Sequence, residues 1–266
     1  MTLNGQSRVA LAVPILLIAG YALLRVGRGF EPTVAGAAAV PPPGADPSNP
    51  PVLVAGGIMA RGRDDPGTAP VGPRSTADES FGGSPVDGFW MQRHEVTNEE
   101  YRRFDPAHEF PAGDERRPVA GVTWEEAMLY AASLGGTLPT EAQWQYAASG
   151  VEGRIYPWGD EAPTCERANF GECGVGGTID VMSLPSGATP EGIHDLAGNV
   201  WEWVMPVWFE PGRTPVNQAS RRLRGGSFAD EPFFLRARNR NNDFFEGFRM
   251  SSVGFRVVWP LVRVPR

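Results

Sequence analysis

Three times between residues 97 and 143 a threonine is followed three positions later by a side chain able to reach back to it. The pairs are Thr97 with Glu100, Thr123 with Glu126, and Thr140 with Gln143. In such a box the hydroxyl accepts from a backbone N–H inside the first turn, while the Glu or Gln accepts from the threonine's own N–H. Each pair therefore predicts a helix start. Gly135 and Gly150 are the predicted stops of the second and third helices, because a residue without Cβ takes the positive φ that closes a helix. Beyond Gly150 the pattern fragments into short apolar and aromatic pieces between Gly, Pro and Asn. Strands are predicted near Val52–Val54, Leu223–Gly225 and Gly254–Val258. With 33 Gly and 26 Pro among 266 residues, long regular elements are disfavoured and turns must carry much of the fold.

The N-terminal part has a different composition. After a tail of residues 1–8, the run from Val9 to Leu24 contains no charged side chain. A span needs about 20 apolar residues, and Val26 and Gly27 extend this one if the flanking arginines snorkel. Residues 9–27 are thus expected to form one transmembrane anchor. A cleaved signal peptide is the rival reading, with a small-residue site at Ala35, Ala37 and Ala38, but that site lies beyond Arg25 and Arg28. Residues 28–51 are rich in Pro and Ala and read as a semi-rigid spacer. A globular domain is expected over residues 52–266, with surface loops over residues 61–84.

Charge excludes several functions. The net charge of -7 and a pI near 5.1 argue against nucleic-acid binding, which requires a cationic face. All 24 basic residues are arginine, so neither a Schiff-base lysine nor a phosphate-loop lysine exists.

From residue 94 onward a series of segments occurs in a distinctive order: HEVTNEEYRRF (94–104), PVAGVTWEEAMLYAASLGGTLPTEAQWQYAA (118–148), YPWGDE (156–161), ANF (168–170), HDLAGNVWEW (194–203), RGGSF (224–228) and VGFRV (253–257). Taken together the series resembles the formylglycine-generating-enzyme, or sulfatase-modifying-factor, family. The resemblance implies an α+β, loop-rich domain with a C-type-lectin-like fold, preceded here by one N-terminal transmembrane helix, and it implies structural calcium. On residues alone, HDLAGNVWEW mixes hard oxygen donors with a bent backbone, which suits Ca²⁺. A capped turn whose Trp201 and Trp203 fill the core suits the same spacing. By resemblance the ligands would be the Asp195 and Glu202 side chains and the Gly198 and Val200 carbonyls. A second calcium site would use Asn169 and the Phe170 carbonyl, with Asp180 a poor candidate for a further ligand.

Cys165 and Cys173 are the only cysteines. They could form a disulfide or act as a metal-binding or redox thiol pair; outside the cytoplasm a nearby pair is most often a disulfide. In the catalytic members of the family, a serine of RGGS is followed by two cysteines whose thiolates hold Cu(I), which activates O₂. Here Ser227 matches the serine and Trp201 a pocket tryptophan, while Asp230 and Leu235 occupy the cysteine positions. One carboxylate beside a leucine does not suit Cu(I), so no copper is expected. Asp230 and Glu231 are expected to pair with Arg236, Arg238 or Arg240. His94, His108 and His194, the only histidines, are expected in surface or core roles instead of a metal triad.

Two function classes follow. One is a non-catalytic binding or accessory subunit of an envelope or inner-membrane complex, anchored in a bacterial inner membrane with its C-terminal domain in the periplasm. The other is a periplasmic metal-dependent oxidoreductase resembling a pyoverdine-maturation branch of the family.

Overall fold

The structure, a computed structural model, describes residues 40–60, 83–205, 221–239, 241–245 and 247–261. The anchor expected over residues 9–27 lies outside the described residues, as do the first half of the 28–51 spacer and most of the 61–84 loops. Among the described residues no helix is long and apolar enough to cross a membrane.

All three expected helices form: α1 (Asn98–Phe104), α2 (Trp124–Ser133) and α3 (Glu141–Ser149). Each starts with its complete capping box. In the first, the Glu100 N–H donates to Thr97 Oγ1 at 3.2 Å and the Thr97 N–H donates to Glu100 Oε2 at 2.9 Å. The expected glycines follow, by different geometries. Gly135 lies just past the α2 cap with φ +68°. Gly150 has φ +65° but ψ −174°, so α3 runs out into extended chain while the Gly150 N–H still reaches the Tyr146 carbonyl at 2.8 Å.

Among the described residues nine short strands make three sheets. β1 (Pro51–Val54), β4 (Phe89–Gln92) and β9 (Val258–Pro260) form an antiparallel sheet with β4 central. β2 (Gly57–Ile58) and β3 (Pro85–Val86) pair as a two-residue ribbon. β5 (Trp201–Val204), β6 (Arg221–Arg224), β7 (Asn241–Phe244) and β8 (Val253–Gly254) form a sheet of order β7-β6-β5-β8, in which β5 and β8 are parallel. The strand expected over 254–258 is in fact divided between two sheets. Phe255, Arg256 and Val257 cross from β8 to β9, bonding to the 92–96 segment through the Phe255 and Val257 carbonyls at 3.0 and 2.9 Å. A backbone switching sheets cannot remain one continuous strand, and no local pattern announces the switch.

Two large buried clusters and a smaller third, of Tyr156, Ala168, Phe170, Ala197 and Leu235, fill the interior among the described residues. Of the two large ones, one contains Trp201, Trp203, Tyr130 and Phe255, the other Trp144, Phe89, Met91 and Val204. Buried indoles need acceptors, and three of them find theirs across the core. Trp203 Nε1 donates to the Val122 carbonyl at 3.0 Å and Trp124 Nε1 to the Val204 carbonyl at 3.0 Å, while Trp144 Nε1 donates to Glu202 Oε2 at 2.8 Å.

The fold also takes in residues upstream of Val52. Asn49 is fully buried; its Nδ2 donates to the His94 carbonyl at 3.0 Å and its Oδ1 accepts from the His94 N–H at 3.3 Å. Arg103 bonds Ser48 Oγ at 2.9 Å and pairs with Asp46 at 3.5 Å. Gly44 lies so close to the Leu134 carbonyl that a Cβ there would collide with it. A proline-rich composition predicts a spacer, but one asparagine using both faces of its amide is enough to dock it. Asn49→Ala leaves two buried backbone groups unpaired and is expected to cost about 2 kcal/mol, or roughly 4–8 °C in a domain of this size. Calorimetry checks this; an unchanged melting temperature would mean that the segment only rests on the domain.

Candidate ligand-binding site and buried charge cluster

After β6 the chain turns through Gly225 (φ +99°) and Gly226 (φ +74°). A Cβ at Gly225 would lie 3.2 Å from the Trp144 ring, and one at Gly226 would lie 3.2 Å from the Phe234 backbone. This tight passage delivers Ser227 beside Asp230. A single carboxylate oxygen, Asp230 Oδ2, accepts from the Ser227 N–H at 3.0 Å, from Trp201 Nε1 at 2.8 Å, and from the Ser227 hydroxyl. The three pocket candidates Trp201, Ser227 and Asp230 are thus brought together. Among the described residues, which leave out Arg240, Asp230 makes these bonds to the indole and the serine and no ion pair with Arg236 or Arg238; the Arg236 guanidinium lies over the Phe233 ring at 4.9 Å. Leu235 is fully buried against Tyr156, Ala168, Phe170 and Ala197. Phe234 meets Trp201 edge to face at 6.1 Å. At the two positions that the resemblance aligns with a thiolate pair, this chain has a hydrogen-bonded turn and a core side chain.

Behind this turn lies the 195–202 loop. Asp195, Gly198 and Asn199 have φ of 60°, 84° and 62°, a concentration of left-handed residues that bends the loop sharply. Glu95, which sequence reasoning did not single out, holds the loop from the opposite side. Its Oε2 accepts from Asn199 Nδ2 at 2.8 Å and its Oε1 from the Val200 N–H at 3.2 Å. The available signal was a glutamate inside HEVTNEEYRRF, on the buried approach to α1.

Glu202 is fully buried and paired with Arg256: Nε donates to Oε2 at 2.8 Å and Nη2 to Oε1 at 2.7 Å. Arg256 also bonds the His194 carbonyl at 2.9 Å and the Gln92 carbonyl at 3.3 Å. Of the three carboxylates Glu95, Asp195 and Glu202, Arg256 bonds Glu202 alone among the described residues, while Glu95 and Asp195 lie within its field. Burial, with the charges of Asp195 and Glu202, pushes the Glu95 carboxyl well above its usual range. Burial pushes the Asp195 carboxyl up to about 6 against the relief of its bond from the Met182 N–H at 2.8 Å.

The donor set can be tested against calcium. Glu202 Oε2 accepts two donors, but Oε1 accepts only one and keeps a lone pair; Asp195 Oδ1 accepts none from the described residues. Two anionic oxygens on a sharply bent loop suit a hard cation. Among the described residues no group of three or more His, Cys, Asp or Glu side chains is arranged to hold a metal, so backbone carbonyls such as those of Gly198 and Val200 would have to complete the shell. In the second candidate site Asn169 Oδ1 is buried without a hydrogen-bond partner, while the Phe170 carbonyl accepts from the Cys173 N–H at 2.9 Å and Asp180 lies 3.8 Å from Arg116. The histidines have other surroundings. Burial lowers His94 to about 4, and its Nδ1 lies 2.8 Å from the Glu95 carbonyl; His108 Nε2 bonds Asn98 Oδ1 at 2.9 Å; His194 Nδ1 is buried without a partner.

Cys165 and Cys173 are joined in a disulfide, as expected. The loop that it closes touches both turns of the site. The Gly171 N–H donates to the Asp230 carbonyl at 2.9 Å and the Asn199 N–H to the Asn169 carbonyl at 2.8 Å.

A loop-rich mixture of short helices and strands, with a GGS turn packed on a tryptophan and a buried carboxylate loop, defines a formylglycine-generating-enzyme type of domain. Residues 37–261 match the sulfatase-modifying factor enzyme 1-like domain, and the chain belongs to that family. It is 36% identical over 178 residues to hercynine oxygenase of Mycobacterium tuberculosis, covering 60% of this chain and 40% of that one. To the formylglycine-generating enzyme of Streptomyces coelicolor it is 36% identical over 173 residues, covering 56% and 52%. To the inactive C-alpha-formylglycine-generating enzyme 2 of mouse it is 36% identical over 124 residues, covering 42% and 38%. This chain thus spans about half, or less, of these relatives' lengths. The fold matches PvdO from Pseudomonas aeruginosa (TM-score 0.62, 23% identity, 79% and 94% of the two chains) and CarF (TM-score 0.60, 22% identity, 80% and 99%).

Proposed function

We propose that this domain is a calcium-stabilised binding module, held at the outer face of a bacterial inner membrane by residues 9–27 and serving as an accessory subunit of an envelope complex. One observation carries the reading: the two positions that would hold Cu(I) are a carboxylate already bonded to Ser227 and Trp201, and a leucine buried in the core. Soft thiolates select Cu(I), and neither side chain supplies one. A rigid turn bordered by Trp201, Phe233 and Phe234 is suited to holding a ligand by shape and hydrogen bonds. The mouse relative, whose name marks it as inactive, supports loss of the activity within the family. Calcium, when bound, would supply positive charge beside Asp195 and Glu202 and hold the 195–202 loop behind the site.

The hercynine oxygenases among the relatives favour a second reading, an oxidoreductase using another metal. Metal analysis of the purified chain separates the two: calcium alone is expected, and stoichiometric iron or copper would overturn the binding-module reading. Incubation with a CxPxR peptide, Cu(I) and O₂ is expected to yield no formylglycine, as read by aldehyde capture and mass spectrometry. Turnover would show that other residues hold the metal.

A further inference from the structure

We infer that Cys165–Cys173 is a thiol–disulfide exchange site whose state sets the order of the Ser227–Asp230 turn. Cys165 is exposed and Cys173 half-buried, at the edge of the cluster formed by Tyr156, Ala168, Phe170, Ala197 and Leu235. An incoming thiolate therefore reaches Cys165 Sγ first. Accessible disulfides are the ones that exchange, and a dithiol completes the reaction by its own second sulfur. The reductant's thiolate attacks Cys165 Sγ, the S–S bond breaks, and its electron pair leaves on Cys173 Sγ, which takes up a proton. The second thiolate of the reductant then attacks its own sulfur in the mixed disulfide and releases Cys165, which is protonated in turn. Two electrons and two protons have passed to the protein, and the reductant departs as its disulfide. Once reduced, the Cys173 thiol has an acceptor at hand, the Ala168 carbonyl at 3.5 Å.

The consequence follows from what the closed loop supports. Gly171 is wedged against the backbone of the Asp230 turn, so closely that a Cβ there would lie 3.0 Å from the Asp230 oxygen and 3.2 Å from the Ala229 oxygen. Its N–H bonds the Asp230 carbonyl, and the Asn169 carbonyl takes the Asn199 N–H while packing against Gly198. Both turns of the site thus lean on one short loop. Opening its covalent closure releases conformational freedom in the segment that holds them. Elements distant from it, α2 among them, keep their packing.

The inference rests on reading the Ser227–Asp230 turn as the working site, but its test is hydrogen exchange, which needs no ligand and gives its answer whether or not that reading holds. The folded, full-length chain is compared by exchange mass spectrometry before and after treatment with dithiothreitol, and again after reoxidation. Reduction is expected to speed exchange tenfold or more in residues 165–173 and 227–235, to leave residues 124–133 unchanged, and to reverse on reoxidation. Cys165→Ser with Cys173→Ser should reproduce the reduced pattern; if that variant fails to fold, the reversible treatment of the natural chain decides alone. A disulfide that resists dithiothreitol in the folded protein would overturn the inference. So would reduction that leaves residues 227–235 unchanged, or that opens residues 124–133 equally.

Discussion

Arg256→Met is expected to destabilise the chain by about 3–5 kcal/mol, the cost of leaving a buried charge without its partner. In a domain of this size that corresponds to a fall of roughly 6–20 °C in melting temperature. The reason is specific to this cluster. Among the described residues Arg256 is the one guanidinium bonded to Glu202, it also holds the His194 and Gln92 carbonyls, and Glu95 and Asp195 lie within its field. Its removal leaves the Glu202 carboxylate and two carbonyls without their shared donor, and takes the nearby positive charge from Glu95 and Asp195. Glu202→Gln added to Arg256→Met should recover part of the loss, because the neutral amide no longer needs a counter-charge. Urea unfolding of the two single variants and the double variant measures the coupling. Additive losses would mean that the pair contributes packing alone.

The second large effect concerns calcium and pH together. The Asp195 carboxyl is raised in the folded state from 3.8 to about 6. A raised carboxyl contributes stability that is fully present below its unfolded value and is lost as pH rises through its folded value. Glu95 is displaced in the same direction. With calcium chelated, Asp195→Asn should therefore match the natural chain near pH 4 and exceed it at pH 7. The expected gain is about 1–2 kcal/mol, after discounting the part of this half-buried carboxylate that water reaches. In millimolar calcium the order should invert, because the asparagine has given up an anionic ligand. Glu202→Ala should lose the calcium-dependent rise altogether. Melting curves at both pH values, with chelator and with calcium, give the comparison. If chelation leaves the natural chain unmoved at pH 7, the 195–202 loop is only a turn and the calcium assignment fails.

Much of the fold was legible because its signals are local. A threonine with an acceptor three residues on specifies a helix start whatever surrounds it, and Thr97, Thr123 and Thr140 all cap helices. Cys165 and Cys173, eight residues apart, could find each other without knowledge of the rest of the chain. The ordered signatures brought Trp201, Ser227 and Asp230 into one site because the family to which the chain belongs preserves that order. What stayed illegible depends on residues distant in sequence. Asn49 reads as a linker residue until His94 is placed against it, and Glu95 reads as a surface charge until Asn199 and Val200 close over it.

The sequence by itself therefore determined where helices begin, which two cysteines are available to join, which family the domain resembles, and that the positions this resemblance aligns with the copper thiolates carry Asp230 and Leu235. Each of these follows from residue identity or from contacts a few positions apart. Only the tertiary structure decided that Asp230 bonds to Trp201 and Ser227, and that residues 254–258 divide between two sheets. It alone showed that Arg256 pairs with Glu202 and places its charge beside Glu95 and Asp195. The physical reason is that hydrogen-bond saturation and buried charge balance are properties of groups brought together by folding: Glu95 lies more than a hundred residues from Asn199 and Val200, and no single segment records what they do to one another.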